Sequence, residues 1–205
     1  MSNETILKID DIYDKNLNFL IGSGASYGLF PTLGLAIKDK DGNPQTIETL
    51  ATLFQKNEKT DVEYTSLFMH YYKSCIEPVM KIDFETLEIG GDPNEIKVLE
   101  NYQEFVKTIL SILQRKKDGR RCNVFTTNYD GCFTYAADVL LQSGNIDFVI
   151  NDGARGFNKR YLQAKNFNSY LCQTGIFERH QSEIPQINLI HLHGSAYWYK
   201  DGDNI

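Results

Sequence analysis

Asn18-Phe19-Leu20-Ile21-Gly22-Ser23-Gly24-Ala25-Ser26-Tyr27-Gly28, continuing into Leu29-Phe30-Pro31, is the stretch on which the fold turns. An apolar run of strand length ends in glycines and then in small residues that can open a helix. The expectation is a strand, a tight turn and a helix N-terminus. Glycines permit positive φ and close backbone approach, and unpaired helix N–H groups with the helix dipole favour a phosphate. Gly22-x-Gly24 is followed by Gly28, one place later than the dinucleotide fingerprint sets its third glycine. On this stretch alone, a phosphate loop and a plain strand–helix turn stand level.

On the amino-terminal side, residues 1–17 are polar, with Ile6, Leu7, Ile9 and Ile12 as a short amphipathic helix or arm leading into the strand. On the other side, Thr32–Ile37 gives way to Lys38-Asp39-Lys40-Asp41-Gly42-Asn43-Pro44, dense in turn formers and read as a solvated loop. Asp39 or Asp41 lies near the distance at which such folds place a ribose-binding acid, but alternating charges in a turn argue against that role. Residues 45–80 read as helical. Ile47, Leu50, Ala51 and Phe54 form one stripe, and Tyr64, Leu67, Phe68, Tyr71, Tyr72 and Cys75 continue a similar one, taken as core. His70 has no second ligand at metal spacing and reads as structural.

After the short amphipathic piece Ile82–Glu88 and Gly90-Gly91, Asp92 caps a helix with Pro93 at its first position and Glu95 completing a capping box. Its apolar face is Ile96, Leu99, Tyr102, Val106, Ile109, Leu110 and Leu113. The basic run from Arg115 to Arg121 suits a helix C-terminus without any ligand. Cys122–Thr127 is a buried strand ending in Asn128-Tyr129-Asp130, followed by a helix to Gly144 and a strand at Ile146–Ile150. Residues 151–185 are loop-rich. The last strand, Ile187–Leu192, leads into His193-Gly194-Ser195, and Asp201-Gly202-Asp203 reads as a terminal turn. Strands alternating with helices indicate an α/β fold. A mostly parallel, Rossmann-like sheet with helices on both faces and a helical insertion at about 45–118 is expected, with the strand carboxyl ends at one crevice.

Composition narrows the function. The 205 residues suffice for a single domain over 1–205, and 41% hydrophobic with 23% charged residues is globular. A net charge of −6 argues against nucleic acid as the main partner, since phosphate-backbone binding is mostly cationic. The chain starts without a signal-peptide pattern, and no apolar run approaches the ~20 residues that span a bilayer, so no membrane partner is expected. Cys75, Cys122, Cys132 and Cys172 are far apart, which favours reduced thiols in a cytoplasmic protein and gives no zinc signature.

Three strand ends should meet: the glycine turn, Thr126–Asp130 and His193–Ser195. An asparagine amide both donates and accepts, so it can orient a ribose hydroxyl or a water. A histidine near neutral pKa can take a proton from such a hydroxyl. Equally, Asn128 can cap a helix and His193 can satisfy a strand-end carbonyl. Spacing alone leaves the two readings even.

At these residues the chain resembles the sirtuin family. Gly22-Ser23-Gly24-Ala25-Ser26 is similar to the G-A-G-x-S loop, with Ser23 in the alanine position. Thr126-Thr127-Asn128-Tyr129-Asp130 is similar to T-Q-N-x-D, and Leu192-His193-Gly194-Ser195 to L-H-G-S. The three occur in family order and span residues 19–195. Asp83-Phe84-Glu85-x-Leu87, Asn151-Asp152-Gly153 and His193-Gly194-Ser195-x-x-Trp198 resemble the bacterial NAD-cleaving branch. The resemblance implies that Gly22, Ser23, Gly24, Ala25 and Ser26 cradle the NAD diphosphate, with Thr127, Gly194 and Ser195 completing the pocket. It also implies that Asn128 contacts the nicotinamide ribose and the attacking water, Asp130 binds the carboxamide, and His193 is the base.

Departures shape the expectation. Leu29-Phe30-Pro31-Thr32-Leu33-Gly34 stands where deacylases carry G-I-P-D-F-R, without the Phe-Arg, and the zinc-binding cysteine pairs are absent. Both weaken a deacylase reading, and no zinc is expected. A family-type strand end for the adenosine side of NAD is not found before Ile205, so the chain is expected to be the amino-terminal part of a larger protein or a core whose remaining strands were removed. The resulting expectation is an NAD⁺ glycohydrolase that yields nicotinamide and ADP-ribose, with NAD⁺ as substrate and no other cofactor. Antiphage defence follows by analogy, and the partners beyond NAD⁺ stand open between a homo-oligomer and an additional domain or subunit. The alternatives are a non-catalytic NAD- or ADP-ribose-binding or assembly module and, third, an NAD-dependent protein deacylase.

Overall fold

The computed structural model describes residues 10–13, 15–56, 60–175, 181–200 and 202. Ile6, Leu7 and Ile9 of the expected amino-terminal stripe, and Asp201 and Asp203 of the terminal turn, lie outside them. A short helix α1 (Asp10–Tyr13) precedes β1 (Leu17–Ile21), a 3₁₀ turn (Ser23–Ser26) and the hairpin β2 (Gly34–Lys38) and β3 (Pro44–Thr46). Five helices follow: α2 (Ile47–Lys56), α3 (Asp61–Tyr71), α4 (Glu77–Lys81), α5 (Phe84–Gly90) and α6 (Pro93–Arg115), with a π-turn at Tyr72–Ile76. Then come β4 (Arg121–Thr126), α7 (Cys132–Gln142), β5 (Val149–Asn151) and the small pairs β6 (Ala154–Arg155) with β7 (Tyr161–Leu162) and β8 (Cys172–Thr174) with β9 (Gln181–Glu183). The final strand is β10 (Gln186–His191).

The fold is mixed α/β. Its sheet has four parallel strands in the order β1-β4-β10-β5. Register explains the core: Leu17, Cys122 and Ile187 form one row across the sheet and Phe19, Val124 and Leu189 the next. These residues point to one face because side chains alternate along a strand. Helices α6 and α7 bury Leu99, Val106, Ile109, Leu110, Leu113, Phe133, Ala136 and Leu140 in the same core. Phe105 of α6 meets both Phe19 and Phe133 edge to face, at 5.3 and 6.4 Å. At the amino end of α6, Asp92 accepts from the Asn94 N–H at 2.8 Å, as an N-cap should.

The opposite face differs from the expected helical cover. Helices α6 and α7 share the first face. On the second, the described chain offers the 3₁₀ turn Ala164–Asn168, and Leu20 is 73% exposed. The reason is polar: Asn18, Asn123, Asn188 and Asn151 stand at one register level on all four strands. Each amide donates to the next, Asn151 to Asn188 at 3.1 Å, Asn188 to Asn123 at 2.8 Å and Asn123 to Asn18 at 2.8 Å. Asn151 also donates to the Asn166 carbonyl at 3.0 Å, tying down that turn. Such a row satisfies itself and limits the apolar surface of this face to the neighbouring row of Leu20, Phe125 and Ile190.

Two local expectations change, the aromatic stripe and His70, and two further segments gain detail. The stripe read as core in α3 is largely outside: Tyr64, Phe68 and Tyr72 are exposed, Tyr71 is half-buried and only Cys75 is buried. The segment is helical, but the apolar residues of α3 are spread around the helix and none of them is buried, and among the described residues no second layer covers the outer side of α2–α4. His70 is likewise exposed, not a core histidine. The segment Lys38–Pro44 is a hairpin turn, closed by Asp39 accepting from the backbone N–H groups of Asp41 and Asn43 at 2.9 and 2.8 Å. The basic run after α6 is occupied locally: Arg115 bonds Tyr13 at 2.8 Å, Lys116 the Lys15 carbonyl at 2.9 Å, and Arg121 lies over the Tyr170 ring.

Candidate functional site

At the carboxyl edge the next row across the sheet is Ile21, Thr126 and His191, and here the buried face turns polar. Thr126 Oγ1 accepts from the Asn128 backbone N–H at 3.0 Å, and His191 Nδ1 lies 3.2 Å from the Asn128 carbonyl. A carbonyl only accepts, so Nδ1 carries the hydrogen. Burial holds the His191 pKa below its ordinary value, outweighing the Asn128 bond and the more distant Asp130 and Asp152 charges that raise it. The two peptide groups that flank the Asn128 Cα are thus each held by a strand-end side chain. Trp198 closes over the His191 ring at 5.5 Å.

The Asn128 side chain enters a four-residue network. Ser26 Oγ donates to Asp130 Oδ2 at 2.7 Å and lies 2.7 Å from Tyr102 Oη. Asn128 Nδ2 reaches Ser26 Oγ at 3.0 Å and Tyr102 Oη at 3.3 Å, and Asp130 Oδ1 accepts from the Cys132 N–H at 3.1 Å, at the start of α7. All four residues are buried. Asn128 is 6% exposed, yet its Oδ1 has no hydrogen-bond partner among the described residues. A buried acceptor left unpaired costs about 1–3 kcal/mol.

This amide lines a cavity of about 560 Å³, walled also by Ser23, Ser26, Phe30, Thr127, Tyr129, Asp130 and His193. That is within the ~300–1,000 Å³ usual for small-molecule sites. The insertion supplies part of the wall, through Thr46, Glu48, Cys75 and Val79. Tyr197 ties the carboxyl-terminal segment to this roof, donating from its hydroxyl to the Val79 carbonyl at 3.2 Å.

The residues expected from sequence are brought to one edge but not to one task. Gly22 has ordinary extended backbone, and Ser23–Ser26 is a single 3₁₀ turn, not the start of a long helix, so no helix dipole stands behind it. Ser23 and Ser26 face the main cavity, whereas Gly24 and Ala25 face a smaller hollow of about 360 Å³ against Asn101, Tyr102 and Phe105 of α6. A side chain at Gly24 would meet nothing within 4 Å. Gly28, at φ +103°, turns the chain so that the Phe30 N–H bonds the Ser26 carbonyl at 2.9 Å. Thr127 donates its N–H to the Ile21 carbonyl at 3.1 Å, joining the first two strand ends. His193 is exposed at the rim, with its ring 6.4 Å from that of Tyr129. Gly194 takes φ +83°, and Ser195 Oγ lies 3.4 Å from the Tyr129 carbonyl. His193 and Tyr129 also border an adjoining hollow of about 420 Å³ that Gly194, Ser195, Tyr71 and Trp198 help to line.

The other motif residues serve the frame. Asp83 caps α5, accepting from the Glu85 and Thr86 N–H groups, and Phe84 stacks on Tyr135 of α7 at 4.7 Å. In Asn151-Asp152-Gly153, Asn151 belongs to the amide row and Asp152 pairs with Arg160 at 2.9 Å. Two contributors escaped sequence reading, Tyr102 and His191, while Thr126 was read only as part of the strand-end run. Their only signal is a polar residue placed where an apolar row would otherwise continue.

Among the described residues no three His, Cys, Asp or Glu side chains gather to hold a metal ion, and no helix is long and apolar enough to cross a membrane. Compared with protein-family models and with curated proteins, the chain matches none.

Proposed function

We propose that this chain is a sirtuin-like NAD⁺ glycohydrolase with a Rossmann-like core. Water would displace nicotinamide from C1′ of the ribose, giving nicotinamide, ADP-ribose and a proton. The observation that carries the reading is the Asn128 amide, buried at the cavity wall with its nitrogen engaged and Oδ1 unpartnered. Oδ1 is itself buried, and it would accept from a ribose hydroxyl or the attacking water once the cavity wall opens to admit one. It gains most from a partner as the ribose becomes cationic, when that partner's hydroxyl is the stronger donor. His193 stands at the same cavity with its ring exposed, where a base for a ribose hydroxyl belongs. Ser23, on the wall of the same cavity, is the residue of the turn that would meet a diphosphate there, whereas Gly24 opens on the smaller hollow beside α6. Ser26 differs from the role that resemblance gives it: its hydroxyl is 2.7 Å from Asp130 and holds the network rather than a phosphate. A setting in antiphage defence rests on resemblance alone.

The test is incubation with NAD⁺, with and without an acetylated peptide, following nicotinamide by chromatography. Peptide-independent release is expected, falling about 10²–10⁴-fold in His193→Ala and comparably in Asn128→Ala. NAD⁺ binding without release would replace the reading with a binding module. Release only with peptide would make the chain a deacylase.

A further inference from the structure

We propose that Tyr102, from helix α6 of the insertion, is the positioning residue that fixes which way the Asn128 amide points. Its consequence for rate rests on the glycohydrolase reading; its geometry does not. The Ser26 hydroxyl has one hydrogen, given to Asp130 Oδ2 at 2.7 Å. The 2.7 Å contact between Ser26 Oγ and Tyr102 Oη therefore has the tyrosine as donor. With that proton committed, Tyr102 Oη can only accept, and Asn128 Nδ2 lies 3.3 Å from it and 3.0 Å from Ser26 Oγ.

Two oxygens with no hydrogen left to give therefore face one side of the amide. That side must be the NH₂. Rotated by 180°, Oδ1 would face Ser26 Oγ with no hydrogen to receive and could gain one from Tyr102 only by taking it from Ser26, so the four side-chain bonds of the network would fall to two. Tyr102 and Ser26 together leave Oδ1 as the unpartnered atom of a residue on the cavity wall. The hydroxyl is otherwise hard to explain. Tyr102 is 5% exposed within the apolar face of α6, where phenylalanine would fill the same space without a polar group to desolvate. Burial also raises the phenol pKa, so the group remains a donor at neutral pH. Helix α6 is thus joined to the reacting amide by one hydrogen-bond pair.

The test is Tyr102→Phe, which keeps the ring. The first readout is the side-chain amide signal of Asn128 in a ¹⁵N-labelled sample, assigned by its loss in Asn128→Ala. It should shift, and its hydrogen exchange should quicken by about tenfold, the size of one neutral hydrogen bond. The second is kinetic: kcat should fall about tenfold with KM within about twofold, and Ser26→Ala should add little to that loss in kcat. If the wild-type protein releases no nicotinamide, the glycohydrolase reading fails while the amide signal still decides the positioning role. A lower melting temperature with the Asn128 signal and exchange unchanged would make Tyr102 structural and overturn the proposal.

Discussion

Ser26 and Asp130 share a 2.7 Å hydrogen bond across 104 residues of chain. Through it, the glycine-rich turn after β1 and the polar end of β4 act as one unit. Asp130 spends its second oxygen on the Cys132 N–H, so the same carboxylate also fixes the start of α7. Turn, strand end and helix are therefore held by one side chain.

Asp130→Ala should destabilise the protein by about 2–3 kcal/mol, because it strands the Ser26 hydroxyl and removes a charged acceptor from a buried site. Urea unfolding followed by circular dichroism measures it. A loss below 0.5 kcal/mol, roughly the size of an ordinary surface change, would show that the bond does not hold the unit together.

Stability and activity should separate at the two residues read as catalytic. Asn128→Ala removes two buried hydrogen bonds and should cost about 1–2 kcal/mol along with nicotinamide release. His193→Ala, at an exposed rim position, should stay within about 0.5 kcal/mol of wild type yet lose release as strongly. Equal destabilisation by both would place His193 in the frame instead of the chemistry.

Much of this was legible in the chain, and the rest was hidden for identifiable reasons. The apolar runs around Phe19, Val124 and Leu189 predicted three strands, and the Asp92–Pro93 start with its long periodic face predicted α6; all four are present. The polar strand ends were visible too, and Asn128 and His193 do share a cavity. The bonding partner Tyr102 was not visible, because a tyrosine on an apolar helical face looks the same whether or not its hydroxyl is used. Nor was the amide row: Asn18, Asn123, Asn151 and Asn188 are single polar residues until the register sets them side by side. The aromatic stripe of α3 misled because the apolar residues there are spread around the helix and none of them is buried.

The amide row can be tested at its centre and its end. Asn123→Ala removes both a donor to Asn18 and an acceptor from Asn188, which is buried, and should cost about 1–3 kcal/mol. Asn18→Ala, at the exposed end, should cost under 1 kcal/mol. Denaturation midpoints of the two variants measure the difference, and equal effects would mean that the row does not act in sequence.

Thiol labelling checks the packing directly. Cys75, Cys122 and Cys132 are buried and Cys172 is exposed, and burial pushes the Cys122 thiol up to about 12. One thiol should react quickly with a chromogenic disulfide at pH 8 and the other three only on unfolding. Two or more fast thiols would contradict this core.

His191 should make stability depend on pH. Burial lowers its folded-state pKa below the ordinary 6.5, so the unfolded chain takes up a proton before the folded protein does. Between the two values the unfolded state binds more protons, and stability therefore rises with pH. On acidification the contribution begins to disappear near 6.5 and continues to fall until the folded-state value is passed. The slope is at most about 1.4 kcal/mol per pH unit, the limit for one proton. Protonation leaves the Nδ1 donor in place, so the loss reflects charging a buried ring rather than breaking its bond to the Asn128 carbonyl. His191→Gln can keep a donor near that carbonyl and cannot titrate. Unfolding free energies measured between pH 5 and 7.5 should slope downward toward acid in the wild type and be flatter in the variant. Parallel curves for the two would assign the slope to other groups and remove His191 from the pH response.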